Sequence, residues 1–132
     1  MGLLVTFNWK NMSKGLYNET YFKNYPEECE AEAVLYCVVL VAKSTNERAC
    51  IKIGIAKGRN YKDVIKRAAG FKGYEIRIQK IVKGGLEEIY HLEQYLHEKW
   101  AHKKYHSPWR FGGHTELFEM DDEIIRSVPK TP

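Results

Sequence analysis

A carboxylate, an imidazole, a phenol, an ammonium and a guanidinium occur through the middle of this chain in an order that suits phosphodiester chemistry. Glu93 lies within Leu92-Glu93-Gln94-Tyr95-Leu96-His97-Glu98-Lys99-Trp100, at the edge of an apolar helical stripe. An unpaired buried carboxylate is costly, so Glu93 should meet water, a base or a metal ion. A hard cation such as Mg2+ takes only one or two protein carboxylates and completes its shell with water and phosphate oxygens. One glutamate is therefore sufficient, although an edge position with the carboxylate in solvent explains the same pattern. His97 follows on the same helix face. It can orient Glu93, contact phosphate or move a proton, or be a half-buried histidine with a local hydrogen bond. Tyr36 interrupts the apolar run Leu35-Tyr36-Cys37-Val38-Val39-Leu40. Its phenol can orient or deprotonate a water, or simply make the hydrogen bond that buried tyrosines need. Lys52, in Ile51-Lys52-Ile53-Gly54, can lower the phenol's pKa or bind phosphate, or face outward as an ordinary strand lysine. Arg67 offers a planar fork to phosphate oxygens, or is an exposed helix arginine.

These groups need a scaffold, and the hydrophobic pattern supplies one. Val34 to Ala42 is almost continuously apolar and valine-rich, as a strand buried on both faces would be. Ser44 to Glu47 has turn chemistry, and Ala49 to Ile55 returns as a second strand. Asn60 is placed to cap a helix from about Tyr61 to Ala69, ending near Gly70. Tyr74 to Ile81 alternates apolar with polar, as a half-exposed third strand would. Gly84-Gly85 reads as a break. Ile89, Leu92, Leu96 and Trp100 then mark the strongest helix, from Leu86 to about His102. Ser107-Pro108 begins a loop, Glu116 to Met120 forms a short strand, and Asp121 caps a terminal helical turn. The order β-β-α-β-α-β implies an α/β (α+β) domain, a small sheet with helices packed against it. The expected boundaries are an N-terminal extension over 1–33, a central domain over 34–120 and a C-terminal turn and tail over 121–132.

The extension is hard to assign. Leu3 to Phe7 has strand character, and Tyr17, Tyr21, Phe22 and Tyr25 form an aromatic cluster that should pack somewhere. The chain has 132 residues, 44% hydrophobic and 29% charged, which suits one globular domain with a real core. No apolar run approaches the roughly 20 residues of a membrane span. Cys29, Cys37 and Cys50 are an odd set without a CxxC pair, which favours a reducing, cytoplasmic setting. The histidines His91, His102, His106 and His114 match no closed zinc spacing.

The formal net charge of +4 is concentrated between Lys52 and Lys83, where ten basic residues face two acidic ones, Asp63 and Glu75. Such a block suits a polyanion, and a solvated surface is the alternative. Lys57, Arg59, Lys62, Lys66 and Lys72 are its candidate DNA contacts. Lys103, Lys104 and Arg110, interleaved with Trp100, Tyr105 and Trp109, form a second candidate surface of cations and stacking rings.

Taken in order, these segments resemble the GIY-YIG nuclease superfamily. Leu35-Tyr36-Cys37 stands at the first signature with its tyrosine kept, and Ile51-Lys52-Ile53-Gly54 stands at the second with lysine in place of tyrosine. The second motif is similar to that of a small phage and bacterial branch with Lys-Ile-Gly. Arg67 on the following helix, Leu92-Glu93-x-x-Leu96-His97-x-x-Trp100 and Glu116-Leu117-Phe118 complete the resemblance, which covers Val34 to Met120.

The resemblance implies a small three-stranded antiparallel central sheet flanked by helices. It also implies DNA cleavage dependent on one Mg2+ or Mn2+ ion held by Glu93. Tyr36 would serve as or assist the base, Lys52 would take the second tyrosine's place, Arg67 would steady the phosphate and His97 would support the site. DNA is the expected partner, with a phage or mobile-element origin. A protein partner or homodimer is a further expectation, and no membrane is involved. The alternative is a catalytically weakened module on the same fold that binds DNA or protein.

Overall fold

The computed structural model describes residues 17–69, 72–106 and 116–129. Helix α1 (Glu19–Asn24) and a 3-10 turn (Pro26–Glu28) precede strands β1 (Glu32–Ala42) and β2 (Arg48–Lys57). Helix α2 (Tyr61–Ala69), strand β3 (Tyr74–Gly85) and helix α3 (Leu86–Lys99) follow. A second 3-10 turn (Ala101–Lys103), strand β4 (Leu117–Glu119) and helix α4 (Asp122–Ser127) come last. The expected strand at Leu3–Phe7, the end of α2 near Gly70, the loop from Ser107, and Trp109, Arg110 and His114 lie outside the described residues. No helix among the described residues is long and apolar enough to cross a membrane.

The mixed α+β class is as expected, but the sheet is larger. Four antiparallel strands run in the order β3-β1-β2-β4, not three. The added strand exists because Leu117 and Phe118 are both buried. Pairing Lys52↔Leu117 and Ile51↔Phe118 sends these side chains to opposite faces of the sheet.

β1 lies at the centre and is covered on both faces, so its sequence does not alternate. On one face, Leu35, Cys37, Val39 and Val41 pack with Ile51 and Ile53, under Ile89 and Leu96 of α3, Phe22 of α1 and Ile124 of α4. On the other, Val34, Tyr36 and Val38 pack with Ala56 and with Ile65 of α2. Cys37 and Cys50 are buried free thiols. The aromatic cluster has a place too. Tyr17, Tyr21 and Phe22 contact one another, and Phe22 packs on Tyr90 of α3.

Local chemistry sets the joints. Asn46 takes φ 61° in the β1–β2 hairpin, a left-handed conformation that asparagine tolerates. Asn18 caps α1 by accepting from the Tyr21 amide, and Asp121 caps α4 by accepting from Glu123. Gly84-Gly85 is the expected break, with β3 running through Gly85 and α3 beginning at the next residue. The Leu86 and Glu87 amides donate to the carbonyls of Ala31 and Cys29, which satisfies donors at the start of α3. A side chain on Gly85 would sit 3.1 Å from the Cys29 carbonyl oxygen, so glycine lets the two backbones meet.

Candidate active site

Of β2, β4 pairs with Cys50–Lys52 alone, so it leaves the rest of the β2 edge unpaired by a fourth strand. α3 reaches that edge. The His97 ring nitrogen Nε2 lies 3.0 Å from the Ile53 carbonyl oxygen. A carbonyl only accepts, so Nε2 carries the proton and donates. The ring stands edge-on to Phe118 at 5.1 Å, and burial holds its pKa down to about 4. His97 is thus a neutral clamp between α3 and β2. Its hydrogen-bond partner is main chain rather than Glu93.

One turn earlier on α3, Glu93 is 5% exposed. Burial raises its carboxyl well above the ordinary carboxylate range, and the neighbouring Glu116 raises it further. Gln94 Nε2 donates to Glu93 Oε1 at 3.3 Å. The carboxyls of Glu93 and Glu116 are within hydrogen-bonding reach of each other, and burial raises Glu116 too.

Lys52 is buried rather than outward-facing, and its Nζ lies 3.6 Å from Glu116 Oε1. Its ammonium is also 5.8 Å from the Tyr36 ring centre, at the limit of a cation–π contact. Burial lowers the Lys52 pKa, while Glu116 and Glu93 oppose that shift. Tyr36 is 1% exposed and faces Gly54 across the β1–β2 ladder. A Cβ at Gly54 would fall 2.5 Å from Tyr36 Oη and 3.2 Å from Glu116 Oε1. Glycine therefore keeps open the space between phenol and carboxylate. Burial, then Glu116 and Glu93, raise the phenol's pKa, so the net shift is opposite to the one expected from Lys52.

Glu93, Lys52 and Tyr36 thus meet around a notch at the sheet edge, with His97 bracing it. Two further residues belong there. Glu116 enters the sequence reading only as part of Glu-Leu-Phe, which was the one signal for it. Lys104, expected on a nucleic-acid surface, is half-buried with Nζ 4.7 Å from the Phe118 ring centre. Its ammonium is destabilised by burial and supported by the charges of Glu116 and Glu93.

Arg67 does not join the notch through any hydrogen bond or ion pair among the described residues. It is exposed on α2, two positions after the buried Ile65. The basic block is also less free than its charge count. Lys57 pairs with Glu28, Arg59 with Glu32 and Arg77 with Glu75, and on the second candidate surface Lys103 pairs with Asp121. Lys80 donates to the Val128 carbonyl at 2.7 Å, at the C-terminal end of α4, where a cation is favoured. Lys83 lies over the Tyr61 ring. Lys62 and Lys66 with Arg67 on α2, and Lys72 beyond it, are exposed. Arg110 lies outside the described residues.

Fold and site define a small α+β domain with a buried carboxyl, lysine and tyrosine cluster at one edge of an antiparallel sheet. The chain belongs to the T5orf172 domain family, whose model matches residues 34–131. That family is phage-associated and nuclease-related, and is compatible with a nuclease-like or DNA-binding role. No curated protein matches the chain, and no solved structure does.

Proposed function

We propose that this protein is a divalent-metal-dependent endonuclease of the GIY-YIG kind that hydrolyses phosphodiester bonds in DNA. The observation that carries the reading is the meeting of Glu93, Lys52 and Tyr36 at one notch from three separate elements. Charged groups are seldom buried without a task, and perturbed titration in a cleft is a recognised mark of function.

The residues fit a hard divalent ion such as Mg2+ or Mn2+. Burial disfavours the ionised form of Glu93, and a cation would restore it. Such an ion would supply Lewis-acid polarisation of the scissile phosphate and stabilise the leaving oxygen. The chain's own groups divide the remaining work. Tyr36, kept neutral, donates a hydrogen bond that orients the attacking water. Lys52, an ammonium beside Glu116, binds a phosphate oxygen. The water oxygen bonds to phosphorus, its proton passes to solvent, and the bond from phosphorus to the leaving oxygen breaks. His97 holds α3 against β2 and so fixes Glu93. Lys62, Lys66 and Arg67 on α2, with Lys72 nearby, face the DNA backbone.

The test is cleavage of DNA in Mg2+ or Mn2+, with and without EDTA, by wild type and Glu93→Ala. Loss of one such electrostatic group should cost on the order of 10²–10³ in rate, with circular dichroism unchanged. Undiminished cutting by the variant refutes the role of Glu93. The exposed position of Arg67 favours a second reading, a DNA-binding module with weakened chemistry. In that case no preparation cuts, and Glu93→Ala binds DNA as wild type does. Affinity then falls steeply with salt as counterions are released.

A further inference from the structure

We propose that Glu116 is a second carboxylate ligand for the divalent cation assigned above to Glu93. This inference rests on the nuclease reading and goes beyond it. The ion would take its protein oxygens from a pair of residues on opposite sides of the notch.

Three observations converge on Glu116. Its carboxyl and that of Glu93 are within hydrogen-bonding reach, with Glu93 buried and Glu116 partly so. Two such groups repel when ionised unless a cation lies between them or close by. The second observation concerns Gly54, where a Cβ would fall 2.5 Å from the hydroxyl of the almost wholly buried Tyr36. That hydroxyl points into the space over Gly54 that Glu116 Oε1 borders from the other side. Glycine keeps that space open, and its polar borders suit a water or phosphate oxygen beside the ion.

The third observation is placement. Glu116 directly precedes β4, and the Leu117↔Lys52 pair anchors the strand to β2. Glu93 is held on α3 by the clamp of His97 on Ile53. Both carboxyls are therefore carried by elements docked to one strand, which is the preorganisation that an ion site needs. Two carboxylates, with water and phosphate completing the shell, make an ordinary donor set for Mg2+ or Mn2+. Lys52, 3.6 Å from Glu116 Oε1, offers a competing explanation in which Glu116 only balances the buried ammonium.

Binding of Mn2+ in the absence of DNA separates the two, read by the electron paramagnetic resonance of free Mn2+. Wild type should bind one ion. Glu116→Gln keeps the size of the side chain and should weaken binding about tenfold or more, as should Glu93→Gln, with each variant's fold checked by circular dichroism and melting. If Glu116→Gln does not fold, Glu116→Asp retains the charge with a shorter reach and should also weaken binding. Wild-type affinity in a folded Glu116 variant, with binding lost in Glu93→Gln, overturns the role of Glu116 and leaves the nuclease reading standing. A wild type that binds no Mn2+ overturns both.

Discussion

Two ion pairs of similar length show how differently the middle of β2 and the turn after it use charge. Lys52 and Glu116 are 3.6 Å apart, with side chains 2% and 19% exposed. Arg59, just past the end of β2, and Glu32 at the start of β1 are 3.4 Å apart and 89% and 67% exposed. In water, a pair like the second gains roughly 0–1 kcal/mol, because solvent screens it and both side chains lose freedom. The first has been taken out of water, and its attraction must offset a desolvation cost of several kcal/mol. A hydrophobic pair would fill that position more simply. The buried pair is thus poor evidence for stability and better evidence for a task, whereas the exposed pair is evidence for neither. The same contrast separates Lys104, drawn under Phe118, from Lys103, paired with Asp121 on the surface.

The contrast is open to measurement. Its largest effect should come from Lys52→Met, which keeps bulk but leaves Glu116 without its ammonium. Unfolding in urea should show a loss of roughly 3 kcal/mol. A loss near zero would mean that the two buried charges are better solvated than their burial indicates.

A smaller effect should appear in the pH dependence of stability. The ordinary histidine value is 6.5, and the folded His97 is held to about 4. Between these values the unfolded chain binds a proton that the folded one does not, so stability falls as pH drops from 6.5 toward 4. Glu93 and Glu116 are raised in the fold and give the opposite slope. The quantity to compare is therefore wild type minus His97→Gln, in EDTA, at several pH values. Wild type should lose ground to the variant as the solution becomes more acid, and parallel curves would contradict a buried neutral ring. The smallest effect belongs to Arg59→Ala, which should shift stability by no more than about 0.5 kcal/mol. A larger loss in urea unfolding would remove the distinction between the buried pair and the exposed one.

Much of the framework was legible. The unbroken apolar run from Val34 announced a strand covered on both sides, and α3 above with α2 below bear that out. Asp121 is the cap it was expected to be. The α3 helix ends at Lys99, before the expected His102, and continues as a 3-10 turn. Gly84-Gly85 is the break it was read as, although β3 runs on through it to Gly85 instead of stopping at Ile81. The helix α1 was not foreseen. It is six residues long, and its place depends on Phe22 reaching Tyr90 across the fold.

The site divides along the same line. Sequence alone determined which groups were available: Glu93 and His97 one helical turn apart, Tyr36 and Gly54 on successive strands, and a basic central block. Those are matters of local period and composition, which the chain carries wherever it goes. Only the tertiary structure decided that Lys52 is buried, that Glu116 faces both it and Glu93, and that Arg67 remains outside. It also decided that much of the basic block is already paired. Each of these depends on the register between strands distant in sequence, β4 against β2 above all. A side chain's neighbours and its access to water set its charge, and neither is written in the residue itself.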